Sequence, residues 1–267
     1  MRLWMLGSGS KGNALLIECA ETRVLIDAGF SARRLAERLR AVGAAPESID
    51  ALVLTHEHSD HVSGVAQCVK RWGWPVYGTA GTIAALAGLT STTAPVRAGS
   101  RLTIGSIELE AVRTSHDAAE PVGYVATSTC SGMRAAIVTD LGVVTPEVAA
   151  AVQRADVLVL ESNHDEVMLR DGPYPYHLKR RVAGSHGHLS NTAAGRLACD
   201  AVHRGLQQLV LAHLSETNNT PAIALDAMGA SLRRSRWRGR VAAAPQHGVM
   251  GPFGDAASVA GQLSLAL

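Results

Sequence analysis

A run of seven residues, Thr55-His56-Glu57-His58-Ser59-Asp60-His61, gathers three imidazoles and two carboxylates directly after an apolar stretch. In an extended backbone, residues two apart point the same way, so His56 and His58 can reach one metal ion. Asp60 and His61 then begin a predicted helix and can face a second ion. Imidazole and carboxylate groups suit zinc, iron or manganese. The competing interpretation, a polar helix start with histidines present by chance, explains so dense a cluster at a strand end less well.

A metal centre needs more ligands than this cluster holds, and four further residues stand where predicted strands end. Loops that follow the strands of a sheet meet at its edge, where sites assemble. Each residue alone is more often a surface or capping group, but the shared placement favours one site. The four residues are Asp27, His116, Asp140 and His213. His247 is the alternative to His213 as the last ligand.

The hydrophobic pattern predicts the elements that must position these residues. Short apolar runs bounded by turn residues predict strands, including a hairpin that turns at Gly105-Ser106. The predicted strands are residues 3–6, 14–18, 24–26, 51–54, 75–77, 102–112, 122–126, 134–139, 157–160, 208–212 and 240–243. Apolar residues at helical spacing predict helices at 31–42, with Ser31 as its N-cap, and at 62–72, 146–153, 191–203 and 222–234. Segment 162–189, rich in Pro, Gly and His, is predicted to be the least regular part of the chain.

Length and composition bound the class of protein. The 267 residues suit a single α/β domain, residues 1–267, in which two sheets pack inside helices. A net charge of +2 does not by itself indicate a nucleic-acid partner. The four cysteines are widely spaced with no CxxC pair, which favours reduced thiols. With neither a signal peptide nor an apolar run of membrane length, a cytoplasmic protein without a membrane partner is expected; the oligomeric state stays unknown.

These motifs, in this order and along nearly the whole chain, resemble those of the metallo-β-lactamase superfamily. The resemblance implies an α/β structure, the metallo-β-lactamase fold, built as a four-layer αββα sandwich with two mixed β-sheets. It also implies two ligand sets: His56, His58 and His116 for one metal, and Asp60, His61 and His213 for the other. Asp140 would bridge the two metals, and Asp27 would orient a ligand through hydrogen bonds.

Further stretches narrow the resemblance to the YycJ/WalJ-type family of bacterial proteins, whose members are associated with exonuclease action on DNA. That family is similar to ribonucleases Z and J and to a cyclic phosphodiesterase of phosphonate metabolism, although no long arm of the ribonuclease kind is visible here. The stretches are Leu6-Gly7-Ser8-Gly9-Ser10-Lys11-Gly12-Asn13, Glu161-Ser162-Asn163-His164-Asp165, Gly187-His188-Leu189-Ser190-Asn191 and His213-Leu214-Ser215-Glu216-Thr217-Asn218-Asn219.

The implied activity is that of a phosphodiesterase that depends on two divalent metal ions, zinc or manganese, with iron as a further choice. Two ions about 3.5–4 Å apart can share a water and lower its pKa towards neutrality. The resulting metal-bridging hydroxide is the expected nucleophile. Asp60 is expected both to bind one metal and to orient this hydroxide. The resemblance favours a nucleic-acid substrate, DNA, and an exonuclease, with 5′-to-3′ digestion and DNA repair as its further implications.

Loop residues around this centre are candidates for contact with the substrate. His164 and His188 could touch a phosphate or protonate the leaving oxygen, and a polar loop histidine is the alternative for each. His188 lies just before the predicted helix start at Ser190, itself a candidate contact, and the free N–H groups of a helix start favour an anion nearby. Ser8, Ser10 and Asn13 could line the pocket, or simply form a glycine-rich turn. Asn163 and Asn191, in the family-like loops, complete the candidates.

Two basic stretches, residues 179–181 and 233–240, could follow a phosphate backbone, with Trp237 stacked on a base, although solvated helix ends are the commoner reason for such charge. The rival function is a small-molecule hydrolase on the same fold: a thioesterase of the glyoxalase II kind, a lactonase or a cyclic phosphodiesterase. The same ligands serve each chemistry, so the metal motif does not separate them. A non-catalytic binding module is the third alternative, and the full set of ligand residues argues against it.

Overall fold

Short strands and helices alternate along the chain, and the computed structural model describes residues 1–86 and 93–254. In chain order the strands are β1 (Arg2–Gly7), β2 (Ala14–Cys19), β3 (Thr22–Ile26), β4 (Ala51–Val53), β5 (Val76–Thr79), β6 (Thr93–Val96), β7 (Arg101–Ile104), β8 (Ile107–Arg113), β9 (Val122–Ser128), β10 (Arg134–Val138), β11 (Val157–Glu161), β12 (Gln208–Ala212), β13 (Arg240–Ala243) and β14 (Met250–Gly254). The predicted hairpin at Gly105-Ser106 is confirmed, since β7 and β8 pair antiparallel around it.

The helices are α1 (Ala32–Ala41), α2 (Ser59–Val62), α3 (Val65–Trp72), α4 (Ala80–Ala85), α5 (Pro146–Val152), α6 (Glu166–Asp171), α7 (Tyr176–Val182), α8 (Asn191–Ala201) and α9 (Pro221–Leu232). Ser31 caps α1 as predicted, because its hydroxyl accepts a hydrogen bond from the backbone N–H of Arg34. Across the described ranges, no helix combines the length and the apolar character needed to cross a membrane.

In the described part of the chain, the strands form two seven-stranded sheets with the same plan. The first has the order β14-β1-β2-β3-β4-β5-β6, and the second has the order β13-β12-β11-β10-β9-β8-β7. Each sheet has three antiparallel pairings at one end and three parallel pairings at the other. Both sheets are therefore mixed, as predicted.

Both faces of the central strands are buried, which explains why their sequences are nearly continuous apolar runs. On β11, Val157 and Val159 pack between the two sheets, whereas Leu158 and Leu160 pack beneath helices. Helices α1 and α3 cover the outer face of the first sheet, and α5, α8 and α9 cover that of the second. The layers run helix, sheet, sheet, helix, which confirms the four-layer αββα sandwich.

The parallel strands of both sheets end at a common edge. Strands β3 and β4 of the first sheet lead into Asp27 and His56, and strands β10 and β12 of the second lead into Asp140 and His213. Side chains from the two sheets meet there, since His61 Nε2 lies 3.4 Å from Asp140 Oδ2. The predicted gathering of strand-end residues is thus present.

Segment 162–189, predicted to be the least regular part of the chain, contains two short helices that were not predicted, α6 and α7. One carboxylate oxygen of Asp165 accepts hydrogen bonds from the backbone N–H groups of Val167 and Met168 and so caps α6. Each helix has fewer than about two turns, too few for hydrophobic periodicity to register.

Smaller differences have local causes. The predicted helix 62–72 is interrupted at Ser63-Gly64, where the Gly64 N–H donates to Ala28 O at 2.9 Å. Strands β6 and β14 and helix α4 were not predicted, because each is short and weakly patterned. The tail, residues 255–267, lies outside the described residues, and a single domain over 1–267 stays a prediction.

Two glycines allow the loop after β3 to lie directly against the histidine cluster. A Cβ added at Gly29 would lie 1.7 Å from Asp60 O, and one added at Gly64 would lie 1.9 Å from Phe30 O. The close approach is fixed by hydrogen bonds from Asn13 N to Asp60 O and from Ala28 N to His61 O, each 2.8 Å. The backbone of the cluster is therefore placed by contacts that leave no room for a side chain.

We expect Gly29→Ala to push these loops apart, lowering both the bound metal and the free energy of unfolding, the latter by about 1–3 kcal/mol. Gly229→Ala is the matched control, because Gly229 lies in α9 and, apart from the backbone of its own helix and its chain neighbours, no atom lies within 4 Å of an added Cβ. Helix propensity should make that variant about 0.5–1 kcal/mol more stable. Urea denaturation and metal analysis would measure both effects; unchanged stability and metal content in Gly29→Ala would contradict the close-contact argument.

Candidate metal centre

Three imidazoles from two loops form the first donor set. One ring nitrogen from each of His56, His58 and His116 lies within 4.8 Å of the other two. His58 Nδ1 and His116 Nε2 are only 3.2 Å apart. Two nitrogen lone pairs at this distance repel unless a proton or a cation lies between them, so the arrangement suits a shared metal ion.

A second donor set is formed by Asp60, His61 and His213, whose nearest ligand atoms also lie within 4.8 Å of one another. Asp60 Oδ2 lies 3.5 Å from His61 Nε2 and 3.3 Å from His213 Nε2. The two imidazoles are almost fully buried, and the carboxylate is partly exposed. This set again offers two nitrogens and an oxygen to one position.

Asp140 lies between the two sets. Its Oδ1 is 3.8 Å from His116 Nε2 and 3.7 Å from His213 Nε2, and its Oδ2 is 3.4 Å from His61 Nε2. The buried Oδ2 has no hydrogen-bond partner within the described structure, and neither has His56 Nε2. Buried polar atoms without partners are rare, and a cation would satisfy both. The His/Asp clusters are thus typical of a dinuclear metal site, and the donor set fits divalent ions.

Most imidazoles of the two sets use one ring nitrogen to bond with the protein and present the other to the centre. His58 Nε2 lies 3.2 Å from Asp117 O, and His116 Nδ1 lies 3.0 Å from Gly187 O. These carbonyl oxygens accept the ring N–H and so fix the tautomer. Such supporting bonds are typical of histidines that bind metals.

Asp27 supports the histidine cluster from the end of β3. Its Oδ2 accepts hydrogen bonds from His61 Nδ1 at 2.7 Å and from the Thr55 hydroxyl at 2.8 Å, and its Oδ1 accepts the Thr55 N–H at 2.9 Å. The Thr55 oxygen is also 3.0 Å from His56 Nδ1. One carboxylate therefore orients His61 directly and His56 through Thr55, the kind of role predicted for it.

Glu161, the last residue of β11, has a role that the sequence prediction missed. Its Oε1 accepts from His188 Nδ1 at 2.8 Å and lies 3.1 Å from His213 Nδ1. Its Oε2 accepts the N–H groups of Leu141 and Leu189. The available signal was its place at a strand end, like that of Asp27 and Asp140.

Electrostatic coupling links these buried groups. Burial by itself would lower the pKa of His61, but the carboxylates of Asp140 and Asp27 outweigh it and raise the pKa to about 9. Burial would raise the pKa of Asp140, yet His213 and His61 hold it well below its ordinary value. Without metal, the centre is therefore a cluster of ion pairs, and a metal ion must displace protons from the imidazoles to bind.

The remaining shifts follow the same balance. Burial is the main cause that lowers the pKa of His56 well below its ordinary value, and it also lowers that of His116. For Glu161, burial opposes ionisation, but the charge and hydrogen bond of His188 and the bond from His213 lower the pKa to about 2. At neutral pH this carboxylate is charged and can hold both imidazoles in place.

A cavity of about 210 Å³ opens beside both donor sets. Ser10, His188 and Asp140 line it on the side of the centre, and Tyr174 and Arg181 line it on the side of α7. His188 is half-buried, and with its Nδ1 bonded to Glu161 its Nε2 is the nitrogen free for a substrate. Of the candidate substrate contacts, Ser10 and His188 are thus at the cavity wall.

Two residues of the glycine-rich loop 7–13 position metal donors rather than line the cavity. The buried Ser8 hydroxyl accepts the backbone N–H of His213 at 2.7 Å. Asn13 Nδ2 lies 3.2 Å from Asp60 Oδ2 and 3.0 Å from His61 Nε2. Neither residue lines the 210 Å³ cavity. Their bonds instead fix residues of the second donor set.

The candidates on the loops after β11 and before α8 are also engaged with the protein. Asn163 Nδ2 donates to His213 O at 2.8 Å, and the Asn191 amide bonds to Asn219. Ser190 caps α8 through its hydroxyl. His164 is buried and does not line the cavity. The structure thus brings these residues behind the centre rather than to its surface.

His247, the alternative last ligand, lies away from the centre. Its exposed ring bonds to Glu216 at 3.0 Å, whereas His213 Nε2 faces both Asp60 and Asp140. Of these two, only His213 meets the other donors.

The two predicted basic stretches lie in different places. Arg181, from residues 179–181, lines the cavity. Residues 233–240 lead into the start of β13, at the sheet edge opposite to the centre, because β13 runs parallel to β12 and His213 follows the far end of β12. Trp237 packs against the core, and its indole N–H donates to Leu206 O at 2.6 Å. The half-buried Trp237 thus lies far from the centre, and its stacking on a base stays a prediction.

Comparison with known proteins identifies relatives along most of the chain. A sequence profile described as the beta-lactamase superfamily domain matches residues 22–214. The exodeoxyribonuclease WalJ of Streptococcus pneumoniae (serotype 2, strain D39) is 32% identical over 227 residues, which cover 82% of this chain and 84% of WalJ. The exodeoxyribonuclease YycJ of Bacillus anthracis is 34% identical over 225 residues, which cover 82% of this chain and 84% of YycJ.

Solved structures share the architecture at lower sequence identity. The metallo-β-lactamase fold protein YhfI of Bacillus subtilis superposes with a TM-score of 0.72 at 19% identity, covering 93% of this chain and 98% of YhfI. Zinc-bound PqqB of Methylobacterium extorquens gives 0.69 at 17% identity, covering 94% of this chain and 100% of PqqB. At these identities the likeness shows the metallo-β-lactamase fold.

Asp27→Asn tests whether this carboxylate supports the centre. The amide nitrogen that replaces Oδ2 cannot accept bonds from His61 and Thr55, so we expect metal affinity to fall by about 10–100-fold with the fold retained. Asp226→Asn makes the same chemical change at an exposed position of α9 and should leave the affinity unchanged. Competition with a chromophoric chelator would measure both variants; equal affinities would refute the supporting role.

Proposed function

Since the chain belongs to the metallo-β-lactamase superfamily, and within it to the family of the bacterial WalJ and YycJ proteins, we propose that it is a dinuclear-metal-dependent phosphodiesterase that acts on DNA as an exonuclease. The observation that carries this proposal is the pair of donor sets joined by Asp140 at the wall of an open cavity. The names of the two relatives support DNA as the substrate. Digestion from the 5′ end and a role in DNA repair are the further parts of the proposal.

In this proposal, His56, His58 and His116 hold one metal ion and Asp60, His61 and His213 hold the other, with Asp140 shared. Zinc and manganese are the first candidates, and iron is the third. When bound, such ions supply an activated water and neutralise charge on phosphoryl oxygens. The chain itself fixes the donors, keeps Asp140 buried and holds the imidazoles in their ligating tautomers.

His188 is the proposed proton donor to the leaving oxygen. Its Nε2 is free at the cavity wall, while Glu161 Oε1 holds Nδ1 at 2.8 Å and fixes the orientation of the ring. Asp60 is the most exposed carboxylate of the centre, and its bond to His213 holds its pKa at about 2 against the effect of burial. It stays ionised at neutral pH and can orient an attacking group.

A small-molecule hydrolase is the second candidate, and the size of the cavity favours it. About 210 Å³ holds only part of a polynucleotide, and the wall near α7 carries apolar side chains that could take an ester or lactone. An exonuclease admits only the terminal unit of its substrate, so the same volume agrees with the first proposal.

The first experiment supplies end-labelled duplex and single-stranded DNA, and matched RNA, to protein loaded with zinc or manganese. We expect stepwise digestion of DNA by the wild type and none by Asp140→Asn, because the shared carboxylate is lost. Asp200→Asn changes an exposed carboxylate on α8 and should keep full activity. A protein that holds two metal ions yet digests no nucleic acid would redirect the function to small esters, thioesters or cyclic phosphates.

The role of His188 predicts a dependence on the leaving group. His188→Ala should slow cleavage of DNA by about 10²–10⁴-fold, because the departing alkoxide then lacks its proton donor. Cleavage of a nitrophenyl ester of thymidine 5′-phosphate should change little, because nitrophenolate leaves without a proton. Single-turnover rates on both substrates would measure this, and an equal loss on both would show that His188 acts in another way.

A further inference from the structure

The cavity beside the metal centre has a second wall that the proposed chemistry does not use. Tyr174, Leu178 and Val182 line it, together with Arg181. All four come from the segment that begins after α6 and ends with α7. A phosphodiester at the metal centre would bring whatever is attached to it against this wall.

The wall is fixed to the loops that carry the centre. Arg181 Nε donates to Asp117 Oδ2 at 2.7 Å, and Asp117 follows the donor His116. The Asp117 N–H donates to His186 O at 3.1 Å, and the Ser115 hydroxyl donates to Ser185 O at 2.7 Å. These bonds hold the wall at a set position relative to the metals.

Tyr174 is also rigid in its own backbone. It stands between Pro173 and Pro175, and Pro175 has a φ of −64°. Proline fixes its own φ and confines the preceding residue to extended conformations. The ring is half-buried, and its hydroxyl has no hydrogen bond to any other described residue. A preset, flat side chain with no structural bond of its own suits a binding surface.

We propose that Tyr174, with Leu178 beside it, is a subsite for the nucleobase of the nucleotide whose phosphate the metal centre cleaves; this rests on the proposed function. A flat ring beside aliphatic groups stacks on a planar heterocycle of any sequence, since every base has a π-face. Arg181 has further N–H groups beyond the one bonded to Asp117 and can reach the adjoining phosphate. The wall therefore binds any base and gives an exonuclease little sequence preference.

Equilibrium binding tests the subsite without relying on turnover. Isothermal titration of the metal-loaded protein would compare thymidine 5′-monophosphate with 2-deoxyribose 5-phosphate, which lacks the base. We expect the nucleotide to bind about 5- to 100-fold more tightly. In Tyr174→Ala, the ratio of the two affinities should fall close to one, while the affinity for the sugar phosphate stays unchanged. In Tyr174→Phe, the ratio should remain that of the wild type.

Tyr176→Ala is the matched control, because Tyr176 lies two residues further along the same segment and is 76% exposed. Its ratio should equal that of the wild type. Tyr174→Leu keeps apolar volume without a flat ring, and its ratio should fall several-fold even if the alanine variant proves unstable.

Several results would overturn the subsite. The first is a wild-type protein that binds the nucleotide and the sugar phosphate equally well. The second is a Tyr174→Ala variant in which the ratio of the two affinities is unchanged, or in which both affinities fall equally. The third is hexyl phosphate that binds as tightly as the nucleotide. The last would mean that the wall takes aliphatic groups. DNA digestion with a ratio near one would refute only the subsite, whereas a high ratio without digestion of DNA would refute only the exonuclease.

Discussion

The buried carboxylate of Asp140 is the group on which the rest of the structure depends. It comes from the second sheet and lies within 4 Å of imidazoles carried by loops of both sheets. A buried charge is tolerated only when it is paired, so these imidazoles and the carboxylate must stay together. The two halves of the sandwich are therefore joined at this edge by electrostatics as well as by the apolar core between the sheets.

This arrangement requires a strained backbone. Asp27, Asp140 and His213 all have positive φ, between 55° and 61°. Aspartate and histidine tolerate this conformation better than bulky residues, but it still disfavours the isolated chain. Each of the three follows a strand that is held on both sides by its neighbours. The sheets thus supply the rigidity that keeps three strained turns aimed at one point.

The sequence predicts the metal donors better than the residues that hold these donors in place by hydrogen bonds. His56, His58 and the strand-end residues are visible because ligand chemistry restricts residue types and the strand pattern fixes their edge. Glu161 shares both signals, but its partners, His188 and His213, lie 27 and 52 residues away along the chain, so its function depends on tertiary pairing. The sequence around a polar residue such as Asn13 is the same whether the side chain contacts a substrate or supports a neighbouring metal-binding residue. Only the burial and the hydrogen bonds of the side chain in the structure distinguish these two roles.

Different parts of the chain form the metal centre and the cavity wall beside it, which explains why the metal motif by itself does not determine the substrate. Donors for the metals follow the ends of strands in both sheets, so their positions are set by the fold itself. The wall opposite comes mostly from one short segment between β11 and α8, joined to the centre by loop contacts such as Asp117–Arg181. Substitutions there would alter what fits beside the metals while leaving Asp140 and its partners intact. On such a scaffold, the choice between a nucleotide and a small ester rests with that segment rather than with the ligands.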